Sequence, residues 1–148
     1  MQRTFYSEAQ MLEFAGQFGR FLRAGDVVTF SGSLGSGKTT FVRGIVRGRL
    51  GSDPTSSPTF AFAHRYEGDP PIEHLDFYRI EDPRELCELG LEEVFDGTSI
   101  VLIEWWEHAP SFTPAQHFEV ILEGAGDVPR SMRLRAVNAR ALPAFSVG

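Results

Sequence analysis

Ser31–Thr40 reads SGSLGSGKTT, and it holds the only lysine of the chain, Lys38. All other members of the fourteen-strong Lys and Arg set are arginine. Gly32 to Thr39 fit the pattern G-x-x-x-x-G-K-[ST], a phosphate-binding loop, or P-loop. Each fixed position has a chemical reason. The glycines let the backbone wrap a phosphate, so that consecutive N–H groups aim at its oxygens. Lysine reaches the β and γ phosphates as a compact point charge, where arginine's planar fork is large and rigid. Thr39 offers a hydroxyl to Mg²⁺. A chance glycine turn is the plain alternative, but the four fixed positions coincide by accident in roughly 1 in 200 chains of this size. The flanks also agree. VVTFSG (27–32) is a short, apolar, β-rich run of the kind that forms a buried strand. Residues 39–50 form a helical stretch, closed by Gly51.

Upstream, Ser7 and Gln10 form a capping-box pair. Met11, Phe14, Ala15, Phe18, Phe21 and Leu22 then recur at spacings of three and four, which predicts a helix ended by Gly25. Downstream, SDPTSSP (52–58) has loop composition. TFAFAHRYEG (59–68) alternates as a strand, GDPP breaks it, and IEHLDFYRI (72–80) alternates again. On the latter, Ile72, His74, Asp76 and Tyr78 share one face. Asp82-Pro83 signals a helix start, with Asp82 as N-cap and Pro83 at the first position. SIVLIEWWE (99–107) is a second strongly buried strand ending in an acid. Phe118, Val120 and Leu122, then Met132, Leu134 and Ala136, alternate across GAGDVPR as a terminal antiparallel hairpin. The expected fold class is α/β: a P-loop NTPase fold over 1–148 as a single domain, with a mixed central β-sheet flanked by helices.

The 148 residues suit one domain with a real core. A formal net charge of −6 gives a global field that does not attract a polyanion, so any service to nucleic acid runs through a partner or a local patch. Arg43, Arg47 and Arg49, and Arg130, Arg133 and Arg135, are candidate patches or solvated faces. The single cysteine, Cys87, excludes an intrachain disulfide and reads as a buried or half-buried helix residue. The start of the chain has no apolar signal region, and no run is long enough to cross a membrane. A reducing, cytoplasmic location is expected.

A P-loop enzyme needs a carboxylate near Mg²⁺ at the end of a neighbouring buried strand. Glu104, after Ile100–Ile103, stands there; an ordinary charged strand end is the alternative. Asp76 is a second candidate acid, against a solvated strand-face residue. Thr59, in Ser57-Pro58-Thr59, is the candidate γ-phosphate switch, against a simple strand-start threonine. No N-K-x-D guanine reader or D-x-x-G switch occurs, which favours ATP.

SGSLGSGKTTFVRG, SSPTF, HLDFYR with DPRELCELGLEEVF, and VLIEW, in this order and spacing, resemble the TsaE family, small P-loop ATPases of bacterial tRNA threonylcarbamoyladenosine synthesis. The resemblance spans roughly residues 5 to 135. It implies that Leu34, Gly35, Ser36, Gly37, Lys38, Thr39 and Thr40 hold the ATP phosphates, and that Thr39 and Glu104 hold Mg²⁺. It also implies that Asp76 serves hydrolysis, that Thr59 belongs to a mobile switch, and that Trp105 lies near the nucleotide. Glu8 and Arg130 fall where the family encloses the base. The partners it implies are TsaD, the transferase subunit, and TsaB, its scaffold; ATP turnover resets their complex, and tRNA is met through it. Two positions depart from the family pattern: Ser33 stands for an aspartate and Trp106 for a proline. A small-molecule P-loop kinase, with Arg79 and Arg84 over the phosphates, and a nucleotide sensor without turnover are the competing readings.

Overall fold

The computed structural model describes residues 1–51, 57–60 and 62–145, with only the backbone at 57–60. One eight-stranded sheet runs through the molecule. Its strands are β1 (Gln2–Phe5), β2 (Val27–Ser31), β3 (Ser57–Phe60), β4 (Ala63–Tyr66), β5 (Ile72–Asp76), β6 (Ile100–Glu104), β7 (His117–Glu123) and β8 (Arg130–Val137). Their order across the sheet is β1-β8-β7-β2-β6-β5-β4-β3. The four central strands, β7-β2-β6-β5, are parallel, and an antiparallel pair is added at each edge. The helices are α1 (Glu8–Phe21), α2 (Lys38–Leu50) and the short α3 (Arg84–Glu88), with 3₁₀ turns after α3 and after β6. The α/β class and the terminal hairpin are as expected from the sequence.

The period-2 pattern of the central strands sorts their side chains onto two cores. Val28 and Phe30 of β2 and Ile100 and Leu102 of β6 meet α1 and α2 through Phe14, Phe18, Phe41 and Ile45. Val27, Val101 and Ile103 face the other way, against Leu75, Phe77, Leu86, Leu91 and Ala109. Strands buried on both faces read as continuous apolar runs, which is why VVTF and IVLI stand out in the sequence.

Helices α1 and α2 touch backbone to backbone. A Cβ on Gly48 would lie 2.5 Å from Gly16 Cα, and one on Gly44 would lie 2.5 Å from Ala15 Cβ. Overpacking of this kind costs about 1–3 kcal/mol. Gly48→Val should therefore lower unfolding free energy by that order in urea titration; an unchanged midpoint would mean the helices separate without cost.

Several elements differ from the sequence reading. Strand β1 escapes it, because four residues with one buried side chain carry little periodicity. Residues 59–68 are not one strand: β3 and β4 pair with each other as a hairpin. Helix α1 ends at Phe21 with Leu22 extended, and Gly25 (φ 91°) forms the turn that follows. Helix α3 begins at Arg84 with Pro83, not Asp82, at its N-cap; Asp82, one residue earlier, accepts from Arg84 N–H at 3.0 Å. Cys87 is exposed rather than buried, since Leu86 takes the inward position of this short helix. Among the described residues, no helix is long and apolar enough to cross a membrane.

The segment after β8 lies against the first core. Phe145 packs on Phe14, Phe18 and Phe21, and Arg3 donates to its carbonyl at 2.6 Å. Arg140 forks onto Asp26 at 2.6 and 2.7 Å and stacks over Phe21. These contacts tie residues 140–145 to the start of the chain, from Arg3 to Asp26.

Candidate functional site

The glycine loop connects the carboxyl end of β2 to the N-terminus of α2. Two of its glycines are required by shape. Gly37, the N-cap of α2, sits at φ 106°, and a Cβ there would lie 2.8 Å from Met11 Cε. Gly32 sits at φ 147°, and a Cβ there would lie 2.4 Å from Leu122 O. Both conformations are ones that side-chain-bearing residues rarely adopt. Ser36 is fully buried in the loop, with its N–H on Ser33 O at 3.1 Å. Ser33 itself is exposed.

Lys38 opens α2 yet is buried at 6 % exposure. Its ammonium donates to Gly32 O at 2.5 Å and lies 3.8 Å from the centre of the Trp105 ring. Burial pulls the lysine pKa below its usual value, and the nearby charges of Glu104, Glu107 and Asp76 oppose that shift. Trp105 reaches this position because its backbone turns into the left-handed region (φ 57°), an uncommon conformation for a bulky residue. Its ring also packs on Tyr78, at 4.9 Å between centroids, and on His108, at 5.5 Å. Trp106 donates from Nε1 to Ser31 Oγ at 2.9 Å. Trp106 thus joins the end of β6 to the end of β2.

Strand parity delivers the acids. Glu104 shares the face of Ile100 and Leu102, which is the α2 side of the sheet, and it is buried. It pairs in register with Phe30 of β2 on one side and Asp76 of β5 on the other. Glu104 Oε2 is hydrogen-bonded to His74 Nε2 at 2.6 Å. Asp76 is more open; its Oδ1 accepts from Tyr78 N–H at 3.0 Å.

Lys38, Trp105, Tyr78, Asp76 and Glu104 line one cavity of about 550 Å³ at the carboxyl ends of the parallel strands. Such ends are where open α/β sheets place their ligands. Leu34, Gly35, Gly37, Lys38, Thr39 and Thr40 supply one wall, and Asp76 and Glu104 the floor. Glu8, from the start of α1, and Arg130, from the start of β8, lie on the rim. Glu8 is ion-paired with Arg43 of α2, and Arg130 donates to the carbonyls of Val128 and Gly126. Ser36 is the exception within the loop, buried rather than lining the cavity. The side chain of Thr59 lies outside the described residues; its backbone is part of β3. Sequence reasoning misses Tyr6, Met11 and Val128, which also line the cavity. Tyr6 and Val128 are exposed apolar side chains in short connections, and no local pattern marks them.

The model of the threonylcarbamoyl adenosine biosynthesis protein TsaE family matches residues 5–132. The chain belongs to the TsaE family. The tRNA threonylcarbamoyladenosine biosynthesis protein TsaE of Bacillus subtilis is 38% identical over 121 residues, covering 81% of this chain and 75% of that protein. The TsaE protein of Rickettsia bellii is 37% identical over 131 residues, covering 87% and 90%. The crystal structure of Bacillus subtilis YdiB superposes with a TM-score of 0.76 at 30% identity, covering 93% of this chain and 85% of that one. The TsaE match stops at residue 132, so the docked segment 140–145 lies beyond it.

Several basic groups read as candidate patches have partners within the fold. Arg43 pairs with Glu8, Arg49 donates to Leu22 O at 2.8 Å, and Arg135 pairs with Glu119 at 2.9 Å. Arg84, considered as a kinase lid residue, forks onto Asp82 and does not line the cavity.

Proposed function

We propose that the cavity binds ATP with Mg²⁺ and that the protein is a slow ATPase activated by TsaB and TsaD in forming threonylcarbamoyladenosine beside the tRNA anticodon. The supporting observation is convergence: residues from the glycine loop, β5, β6, the start of α1 and the start of β8 line one cavity. Lys38, Thr39 and the loop amides take the phosphates. Glu8 and Arg130 flank the base, together with Tyr6 and Val128. The donor set suits Mg²⁺, a hard cation that takes one or two protein oxygens and completes its shell with phosphate and water. Thr39 offers a hydroxyl and Glu104 a carboxylate. Bound with the nucleotide, Mg²⁺ neutralises charge on the β and γ phosphates.

On this reading Asp76, which lines the cavity, orients the water that attacks the γ-phosphate, giving ADP and inorganic phosphate. Thr59 is the switch threonine on this reading. Lys38 moves from Gly32 O and the Trp105 face to the phosphates as the nucleotide enters. Turnover resets the TsaB–TsaD complex in the cytoplasm, and tRNA is met through that complex. The competing kinase reading draws less support: of the two arginines considered for a lid, Arg84 forks onto Asp82, and neither Arg79 nor Arg84 lines the cavity.

ATP and GTP binding, followed by calorimetry with Mg²⁺, checks the nucleotide assignment. ATP should bind at least tenfold tighter, and slow release of phosphate should follow. Equal affinity for both, or transfer of phosphate to a metabolite instead of water, would overturn it.

A further inference from the structure

His74 is used by none of the chemistry above, and it is not among the residues that line the cavity. It stands behind the cavity floor on β5, where its register partner on β6 is Leu102. Its ring reaches diagonally along the sheet to Glu104, two residues further on. Diagonal neighbours of this kind are within reach of a long or aromatic side chain. The two side chains meet at 2.6 Å with only 14 % and 6 % of their surfaces exposed.

An ionised carboxylate only accepts hydrogen bonds, so the ring nitrogen facing it is the N–H donor. Oε2 of Glu104 is thereby occupied, and Oε1 is left for a ligand in the cavity. Lys38 lies near enough for its ammonium to attract the same carboxylate. The ammonium is nevertheless held elsewhere, by Gly32 O and the Trp105 ring, while the carboxylate is held by His74. The two opposite charges are kept apart by two separate partners. A closed Lys38–Glu104 pair would remove both groups from an incoming metal–nucleotide complex.

We propose that His74 is a positioning residue that fixes the Glu104 carboxylate away from Lys38, with one oxygen free for the metal ion of the nucleotide complex. This rests on the reading of Glu104 as the metal ligand. Groups that orient a metal-binding side chain from behind typically change metal affinity by about 10–100-fold when removed. His74→Leu keeps an apolar filler and deletes the donor. His74→Gln keeps an N–H at similar reach.

The test uses the full chain with Mn²⁺ as the probe, followed by electron paramagnetic resonance, and a non-hydrolysable ATP analogue. His74→Leu should weaken Mn²⁺ binding to the protein–nucleotide complex by about tenfold or more. Nucleotide binding in EDTA should stay near wild type, and His74→Gln should recover most of the Mn²⁺ affinity. Unchanged Mn²⁺ affinity in His74→Leu would overturn the proposal. So would an equal loss of metal-bound and metal-free nucleotide binding, which marks a packing role. If His74→Leu does not fold, His74→Gln and His74→Ala carry the same comparison, and equal Mn²⁺ affinity in these two overturns the proposal. Glu104→Gln, run alongside, separates the two layers. If it too leaves Mn²⁺ affinity unchanged, the metal-ligand reading fails first. If it weakens Mn²⁺ binding while His74→Leu does not, only the role of His74 falls.

Discussion

Lys38→Met is expected to abolish measurable ATP binding and at the same time to stabilise the nucleotide-free protein. Both effects come from one feature, a buried ammonium whose desolvation outweighs the attraction of the carboxylates around it. Burial lowers the lysine pKa relative to the unfolded chain. Between the folded and unfolded pKa values the unfolded chain binds more protons, so stability rises with pH across that window, up to the ordinary lysine value. At neutral pH the charge on Lys38 is therefore a cost to the fold. Methionine fills a similar volume without that cost. Truncating one partner of a desolvated charge pair costs about 2–5 kcal/mol of binding. The nucleotide-free variant should melt higher than wild type at pH 7, the advantage should shrink as pH rises toward 10, and ATP should no longer raise the melting temperature. A variant that melts lower than wild type, or that still responds to ATP, would show that the lysine is not held at a cost for the phosphates.

Glu104→Gln should cut ATP turnover by about 10²–10³-fold while leaving nucleotide binding measurable. The amide keeps the shape of the carboxylate at the end of β6, and removes the charge that faces Mg²⁺ on the proposed reading. One amide oxygen still accepts a hydrogen bond from His74, so the fold should be intact. Asp76→Asn separates the two acids. If Asp76 orients water, its variant should lose turnover with Mg²⁺ dependence unchanged, whereas Glu104→Gln should shift the Mg²⁺ midpoint as well. Steady-state phosphate release across a Mg²⁺ titration measures both. Turnover by Glu104→Gln equal to wild type would remove this residue from the chemistry.

The central frame is legible in the sequence because buried parallel strands announce themselves. VVTF and IVLI are apolar on both faces, and each ends at a group the site uses. The alternation in IEHLD is enough to put His74 and Asp76 on one face. It does not show the diagonal reach from His74 to Glu104, because contact between strands depends on register and order, and neither is encoded locally. The same limit hides Trp106. Its bond to Ser31 links positions 75 residues apart in the chain. Strand β1 and the β3–β4 hairpin are lost for a different reason. They are edge elements of four residues each, too short for a period to develop.

The acidic charge also has an address that composition conceals. Residues 81–96 contain seven acids and one arginine, so their imbalance equals the net charge of −6 for the whole chain. This segment holds α3 and the 3₁₀ turn after it, on the second-core side of the sheet. The remainder of the chain is balanced, so the global field argued from net charge is in fact a local one.

Reconstitution tests the central claim most directly. Purified protein should hydrolyse ATP slowly alone, and a TsaB–TsaD complex should bind it in an ATP-dependent way and raise that rate. The same mixture, supplied with tRNA and the threonylcarbamoyl donor, should modify tRNA through repeated turnovers only when this protein and ATP are both present. Repeated turnover by TsaB and TsaD without it, together with no binding and no stimulation of its ATPase, would contradict the account.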